Sequence, residues 1–327
     1  MKAIFVDESN SDHTLRWQAG GELTPMGSED VLVDIHATAL NRADLMQRQG
    51  NYPVPPGASQ ILGLEMAGTI AAMGADVTDW HVGDRVCALL SGGGYAEQVV
   101  VPAAMLMPIP EGWDFTLAAG LPEVFLTAFV NLYMEAVIQP GEVALVHGGA
   151  SGVGTAAIQL LKASGNPVIV TAGTAEKVAA CRDLGADLAI NYREQDFVEA
   201  IKTFTDSKGV DVIMDMVGAD YLAKNLGLLK LKGRLVWIST LSGADAEINL
   251  RLVMGKRLRL IGSVLRSRSL EEKVTIKQNF IDQFWPKLAD GTMNPVIETV
   301  YPIAEANAAQ QQMAENRNIG KIILQVR

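Results

Sequence analysis

The stretch HGGASGVGTAAIQ, from His147 to Gln159, carries glycines at 148, 149, 152 and 154. Read as G-x-G-x-x-G ending on Gly154, Gly149 and Gly154 fit, Ser151 takes the middle position and Gly152 falls one residue late. The loop follows the apolar run VALVH and precedes TAAIQLLKASG, which has the pattern of a helix. That order of strand, glycine loop and helix start brings unpaired backbone N–H groups and the positive end of a helix dipole to one point. The chemistry is anion binding, and the setting is that of a dinucleotide pyrophosphate. Ser151 is small and polar enough to approach a phosphate, and Gly152 and Gly154 keep the backbone close. The alternative is a tight strand-helix turn with no ligand.

Which dinucleotide is held depends on the end of the next strand, where an acidic residue would take the ribose hydroxyls of NAD. Here the sequence is VTAGTAEK. Ala172, Gly173 and Thr174 form the tip, and Lys177 lies one helical turn later. A hydroxyl and an ammonium suit a 2′-phosphate better than a diol, so NADPH is expected over NADH. Glu176 is the competing acid, although an exposed acid favoured by the helix dipole is expected at that place anyway. Arg193, after the following strand, adds charge to the same pocket or stands as a solvated cation. The four histidines, at 13, 36, 81 and 147, form no pair and no triad. His147 ends the first strand of the nucleotide unit and reads as a packed residue.

Six runs position the loop: 143–147, 167–171, 188–191, 210–215, 234–238 and 258–264. They alternate with helical segments, which predicts an α/β fold with a doubly wound, six-stranded parallel sheet of Rossmann type. The first third reads differently. KAIFV, VLVDIHATAL, MAGTIAAM, DRVCALL and AEQVVVP are short strands separated by Gly, Pro and Asp turns, a β-rich pattern. After Arg268 come a long amphipathic helix, PVIETVYP, a short helix and KIILQV, with no further β-α alternation. The expected division is therefore a β-rich catalytic domain from 1–118 and 268–327, and a nucleotide-binding domain from 119–267.

The 327 residues are 49% hydrophobic and carry a formal charge of −10. Two cores are expected at this length. An acidic surface gains nothing from counterion release, so no nucleic-acid or anionic-lipid partner is expected. MKAIFVDESN does not read as a secretory signal. The most apolar windows fall short of the ~20 residues of a spanning helix, so a cytoplasmic protein without a membrane partner is expected. Cys87 and Cys181 lack zinc-ligand spacing and read as buried thiols.

ALNRADLMQRQGNYPVPPGAS, ILGLEMAG, LMPIPEGW, LTAF, SGVGTAAIQL, VTAG, GSVLRSRS and NIGKIIL together resemble the zinc-free quinone oxidoreductases of the medium-chain dehydrogenase/reductase superfamily. The tumour-suppressor-inducible branch is nearer than the zeta-crystallins. The resemblance covers essentially the whole chain and implies a GroES-like first domain. Where the zinc enzymes of the superfamily carry metal ligands, this chain has Asn41, Leu64 and the LPEVF segment, and the four-cysteine structural lobe is missing, so no metal site is expected. Glu65 persists and reads as a member of a structural ion pair. Loss of a Lewis acid disfavours simple alcohols and leaves acceptors that spread the incoming charge. The implied activity is NADPH-dependent reduction of quinones by hydride or electron transfer without a metal.

By resemblance, Asn41 and Tyr52 lie over the nicotinamide as candidate catalytic donors, with Asn41 also near its ribose. Ser151, Gly152 and Val153 contact the pyrophosphate, and Thr174, Lys177 and Tyr192 the adenosine phosphate end. Leu241, Val264 and Leu265 meet the carboxamide through backbone, and Asn316 and Lys321 lie near the diphosphate. Met46 stands where some bacterial relatives have a tyrosine. The expected partners are a small quinone or enone substrate and a second copy of the chain, as a homodimer with a tetramer left open. A 2-alkenal or enoyl reductase would use the same site, and a non-catalytic NADPH-binding or RNA-binding protein is the alternative of another class.

Overall fold

The computed structural model describes residues 1–327 except Glu8, Asn10 and Ser11. The described chain divides into two compact units, Met1–Val124 with Arg266–Arg327, and Phe125–Leu265.

The first unit opens with an antiparallel pair, β1 (Lys2–Asp7) and β2 (Thr14–Ala19). Next come β3 (Asp30–Ala39), helix α1 (Arg42–Arg48), β4 (Glu65–Met73), β5 (Arg85–Leu89), β6 (Gln98–Pro102), β7 (Met107–Pro108) and helix α2 (Phe115–Ala119). Helix α3 (Pro122–Phe129) carries the chain from the first unit into the second. Along β3 residues 31, 33 and 35 are buried between partly exposed neighbours, the alternation of a sheet packed on one face.

The second unit contains β8 (Ala144–His147), α4 (Gly152–Ala163), β9 (Val168–Ala172), α5 (Ala175–Asp183), β10 (Leu188–Asn191), α6 (Phe197–Phe204), β11 (Val210–Asp215), α7 (Leu222–Leu228), β12 (Leu229–Trp237), α8 (Leu250–Lys256) and β13 (Arg259–Gly262). The sheet order is β10-β9-β8-β11-β12-β13, all parallel. Sequential connections run outward from β8 in both directions, so the crevice at the ends of β8 and β11 is the switch point where ligands bind in such sheets. Every residue of β8 and β9 is buried, because helices cover both faces of a parallel sheet. Leu145, Ile169, Ile190 and Ile213 form the centre of this core with Phe197 and Ile201 of α6.

The chain then returns to the first unit through α9 (Leu270–Ala289), β14 (Ile297–Pro302), α10 (Ala306–Ala314) and β15 (Lys321–Gln325). Ser269 caps α9 in a reciprocal capping box with Glu272. Strand β15 pairs with β3 and β14, which completes a sheet of order β14-β15-β3-β4-β5-β7 with β6 also on β3. The N- and C-terminal portions of the unit thus share one sheet. Sequence patterning missed β2 and β7. No helix among the described residues is long and apolar enough to cross a membrane. Cys87 and Cys181 are free and buried.

Candidate active site

In the second unit the glycine loop lies at the C-terminal end of β8. Ser151 is the N-cap of α4, and its Oγ accepts from Gly154 N at 3.0 Å. Where the usual fingerprint has its middle glycine, this chain therefore has a helix cap. The two framing glycines are fixed by close approach. A Cβ on Gly149 would lie 2.6 Å from Val170 Cβ, and one on Gly154 would lie 2.3 Å from the Gly148 carbonyl oxygen. The N–H groups of Gly152 and Val153, at the first turn of α4, have no acceptor among the described residues. They are donors available to an anion.

At the end of β9, a Cβ on Gly173 would lie 2.7 Å from the Tyr192 hydroxyl oxygen, so these two sequence-predicted residues come together. Tyr192 also lines a cavity of about 440 Å³ with Arg193, Tyr221 and Lys224. Thr174 is the N-cap of α5. Its hydroxyl caps α5 by accepting from Lys177 N at 3.3 Å and also bonds the Glu176 side chain, so it is engaged locally. Glu176 is held below the usual carboxylate range by its own backbone N–H and then by Thr174, as expected of an acid at a helix start. Lys177 lies on α5 with only 9% exposure. The Leu241 N–H is likewise spent, donating to Met216 O at 3.2 Å, which leaves its carbonyl as the backbone group on offer. Val264 is exposed and Leu265 buried.

His147 is buried, with Nδ1 3.0 Å from Thr171 Oγ1 and Nε2 2.8 Å from Asn225 Oδ1. Phe197 and Tyr221 meet its ring edge-on. Burial pushes its pKa down, and the residue is a packed core histidine.

The first unit buries a polar cluster. Lys321 Nζ donates to Leu40 O at 2.6 Å and to Asn41 Oδ1 at 2.7 Å, and forms an ion pair with Glu65 Oε1 at 2.7 Å. Asn41 Nδ2 donates to the same Glu65 oxygen at 2.8 Å, and Glu65 Oε2 accepts from Glu123 N at 2.8 Å. Two expectations change. Lys321 has all three ammonium donors engaged and none left for a diphosphate, because the carboxylate and carbonyl around it demand its charge. Asn41 has its oxygen on Lys321 and one N–H on Glu65. Its second N–H has only a 3.4 Å contact with Ala39 O, so the amide organises the ion pair before it serves any ligand. Asn316 ends α10 with a left-handed backbone, φ 54°, where asparagine is tolerated.

Beside this cluster, Asp44 is fully buried and accepts from Asn41 N, Gly63 N and the Tyr95 hydroxyl. Burial pushes its pKa up to about 6 despite those bonds. Tyr52 is partly exposed, and its hydroxyl has no partner among the described residues. Burial, followed by the Glu123 and Asp44 charges, pushes its pKa up and keeps it a phenol. The guanidinium of Arg266 lies 5.2 Å from the centre of its ring. Arg266 was not singled out from the sequence, although it stands in GSVLRSRS; a buried cation gives no local pattern to read.

A family model described as "Zinc-binding dehydrogenase" matches residues 152–279, and one described as "Alcohol dehydrogenase GroES-like domain" matches 27–111. The chain is 33% identical to the quinone oxidoreductase of Rattus norvegicus over 326 residues, covering 99% of this chain and 97% of the relative. It is 32% identical to the human synaptic vesicle membrane protein VAT-1 homolog, covering 91% and 79%. Among solved structures, Escherichia coli quinone oxidoreductase complexed with NADPH has a TM-score of 0.88 at 28% identity, with full coverage of both chains. CurK enoyl reductase has 0.87 at 28%, covering 100% and 99%.

Proposed function

The chain belongs to the medium-chain dehydrogenase/reductase superfamily, and we propose that this oxidoreductase reduces quinones with NADPH and without a metal. The observation that carries the proposal is the Lys321 ammonium clasped by Asn41 and Glu65. Asn41 stands at a metal-ligand position of the zinc enzymes, and a buried lysine on this donor set opposes a divalent cation by charge repulsion. Leu64, at a second such position, offers no ligand atom.

The cofactor loop fits a nicotinamide dinucleotide. The free N–H groups of Gly152 and Val153 would hold the pyrophosphate, with Gly154 keeping the turn tight. Lys177 and Tyr192 are the groups for the adenosine phosphate end, and the relative crystallised with NADPH supports that cofactor over NADH. When bound, the nicotinamide supplies a hydride. Without a Lewis acid the chain's own contribution is orientation, exclusion of water and hydrogen-bond donation to an acceptor oxygen. Tyr52, a protonated phenol with a free hydroxyl, is the donor for that oxygen.

The likeness to an enoyl reductase supports a second reading, reduction of a 2-alkenal or enone at the same site. Parallel turnover of 9,10-phenanthrenequinone and trans-2-nonenal with NADPH and with NADH separates the two. The proposal expects the quinone with NADPH to be fastest. Preference for the alkenal would move the protein to the second reading, and no turnover of either would remove both.

A further inference from the structure

Arg266 is 6% exposed, and its position is fixed from two sides. Its Nε donates to Ser91 O at 2.9 Å. Its carbonyl accepts from Lys273 Nζ at 2.7 Å, and the same ammonium donates to Ser91 Oγ at 2.9 Å. Lys273 is itself buried on α9. Yet the two terminal amino groups of the guanidinium, Nη1 and Nη2, have no hydrogen-bond partner among the described residues. Buried donors are normally paired, and a charged group left unpaired in a low dielectric is costly unless a ligand completes it. The carboxylates of Asp44 and Glu123 act on Arg266 through space, raising its pKa against the larger effect of burial. Asp44 is already spent on Asn41, Gly63 and Tyr95.

The ring of Tyr52 faces this guanidinium at 5.2 Å, and its hydroxyl has no partner among the described residues. The arrangement combines a planar, doubly donating cation, pre-positioned through Nε and backbone, with a phenol donor on a ring that is only partly buried. A planar fork of this kind matches the oxygens of a carboxylate or sulfonate, and movement of the Tyr52 ring would open it. We infer that Arg266, with Tyr52 as its cover, is an anion-recognising subsite that selects conjugated carbonyl acceptors bearing a carboxylate or sulfonate group. The inference rests on the quinone-reductase reading for the identity of the ligand. The unpaired guanidinium is independent of that reading.

Calorimetry on the NADPH-free protein tests it with 1,4-naphthoquinone-2-sulfonate and 1,4-naphthoquinone. The wild type is expected to bind the sulfonate roughly tenfold or more tightly than the neutral quinone, the scale of a charge-assisted contact. Arg266→Met should collapse that ratio to about one, and Arg266→Lys should keep part of it. Equal binding of both compounds by the wild type overturns the inference, as does an unchanged ratio in Arg266→Met. If Arg266→Met does not fold, Arg266→Lys and Tyr52→Phe carry the same comparison, and an unaltered ratio in both overturns it. Turnover is read separately. A sulfonate preference in binding without quinone reduction would sink the reductase reading and leave the subsite standing.

Discussion

Lys321 and Glu65 are both buried, and each is tolerated there only because the other is present. Removing one partner of such a pair leaves an uncompensated charge, which typically costs about 3–5 kcal/mol. Lys321→Met is therefore expected to destabilise the protein on that scale in chemical denaturation, and adding Glu65→Gln should recover most of the loss. Additive losses would show that the two residues do not act as a pair. Asp44 gives a second test at this scale, because its pKa is raised by burial from 3.8 to about 6. Between those values the folded chain holds a proton that the unfolded chain has released. Its contribution is therefore fully present below about pH 4 and is lost as the pH rises through about 6, a change of about 3 kcal/mol. Asp44→Asn should flatten the stability profile across that window, while an unaltered slope would assign it to other groups.

The loop into α4 depends on two glycines, Gly149 and Gly154, that accept no side chain. Gly154→Ala would place a Cβ 2.3 Å from the Gly148 carbonyl oxygen and 2.5 Å from that of Gly149, so the loop must shift. Overpacking of this kind costs about 1–3 kcal/mol, and NADPH affinity measured by fluorescence titration should fall by more than roughly tenfold. Unchanged affinity would mean that the loop does not hold the cofactor. The elements behind this loop were legible in the sequence for a physical reason. Parallel strands buried on both faces are continuous apolar runs, and VDVIMD and LAIN coincide with β11 and β10. Strand β2, TLRWQA, was missed because only Leu15 is buried and the rest is polar or partly exposed. Strand β7 is two residues long. Local contacts such as the Ser151 cap lie within a few residues and leave a motif. The bond from Arg266 to Ser91 spans 175 positions and that from Lys321 to Asn41 spans 280, so no window of sequence contains them.

At the scale of the whole molecule, β13 is the edge of the six-stranded sheet. Leu258 and Leu260 are partly buried and pack against the core of their own unit. Ile261 is partly exposed, and Leu250, Met254 and Val264 nearby in sequence are exposed. Apolar edges are commonly covered by pairing, and we propose a two-fold pairing of β13 with its copy. Ile261→Lys should then give monomers or aggregates in sedimentation, whereas a monomeric parent protein would end that proposal. The most direct test of metal-independent quinone reduction is NADPH oxidation with 9,10-phenanthrenequinone by chelator-treated protein analysed for zinc. Undiminished turnover with zinc far below stoichiometric is expected. Stoichiometric zinc in the untreated protein, with turnover lost on chelation and restored by the metal, would contradict it.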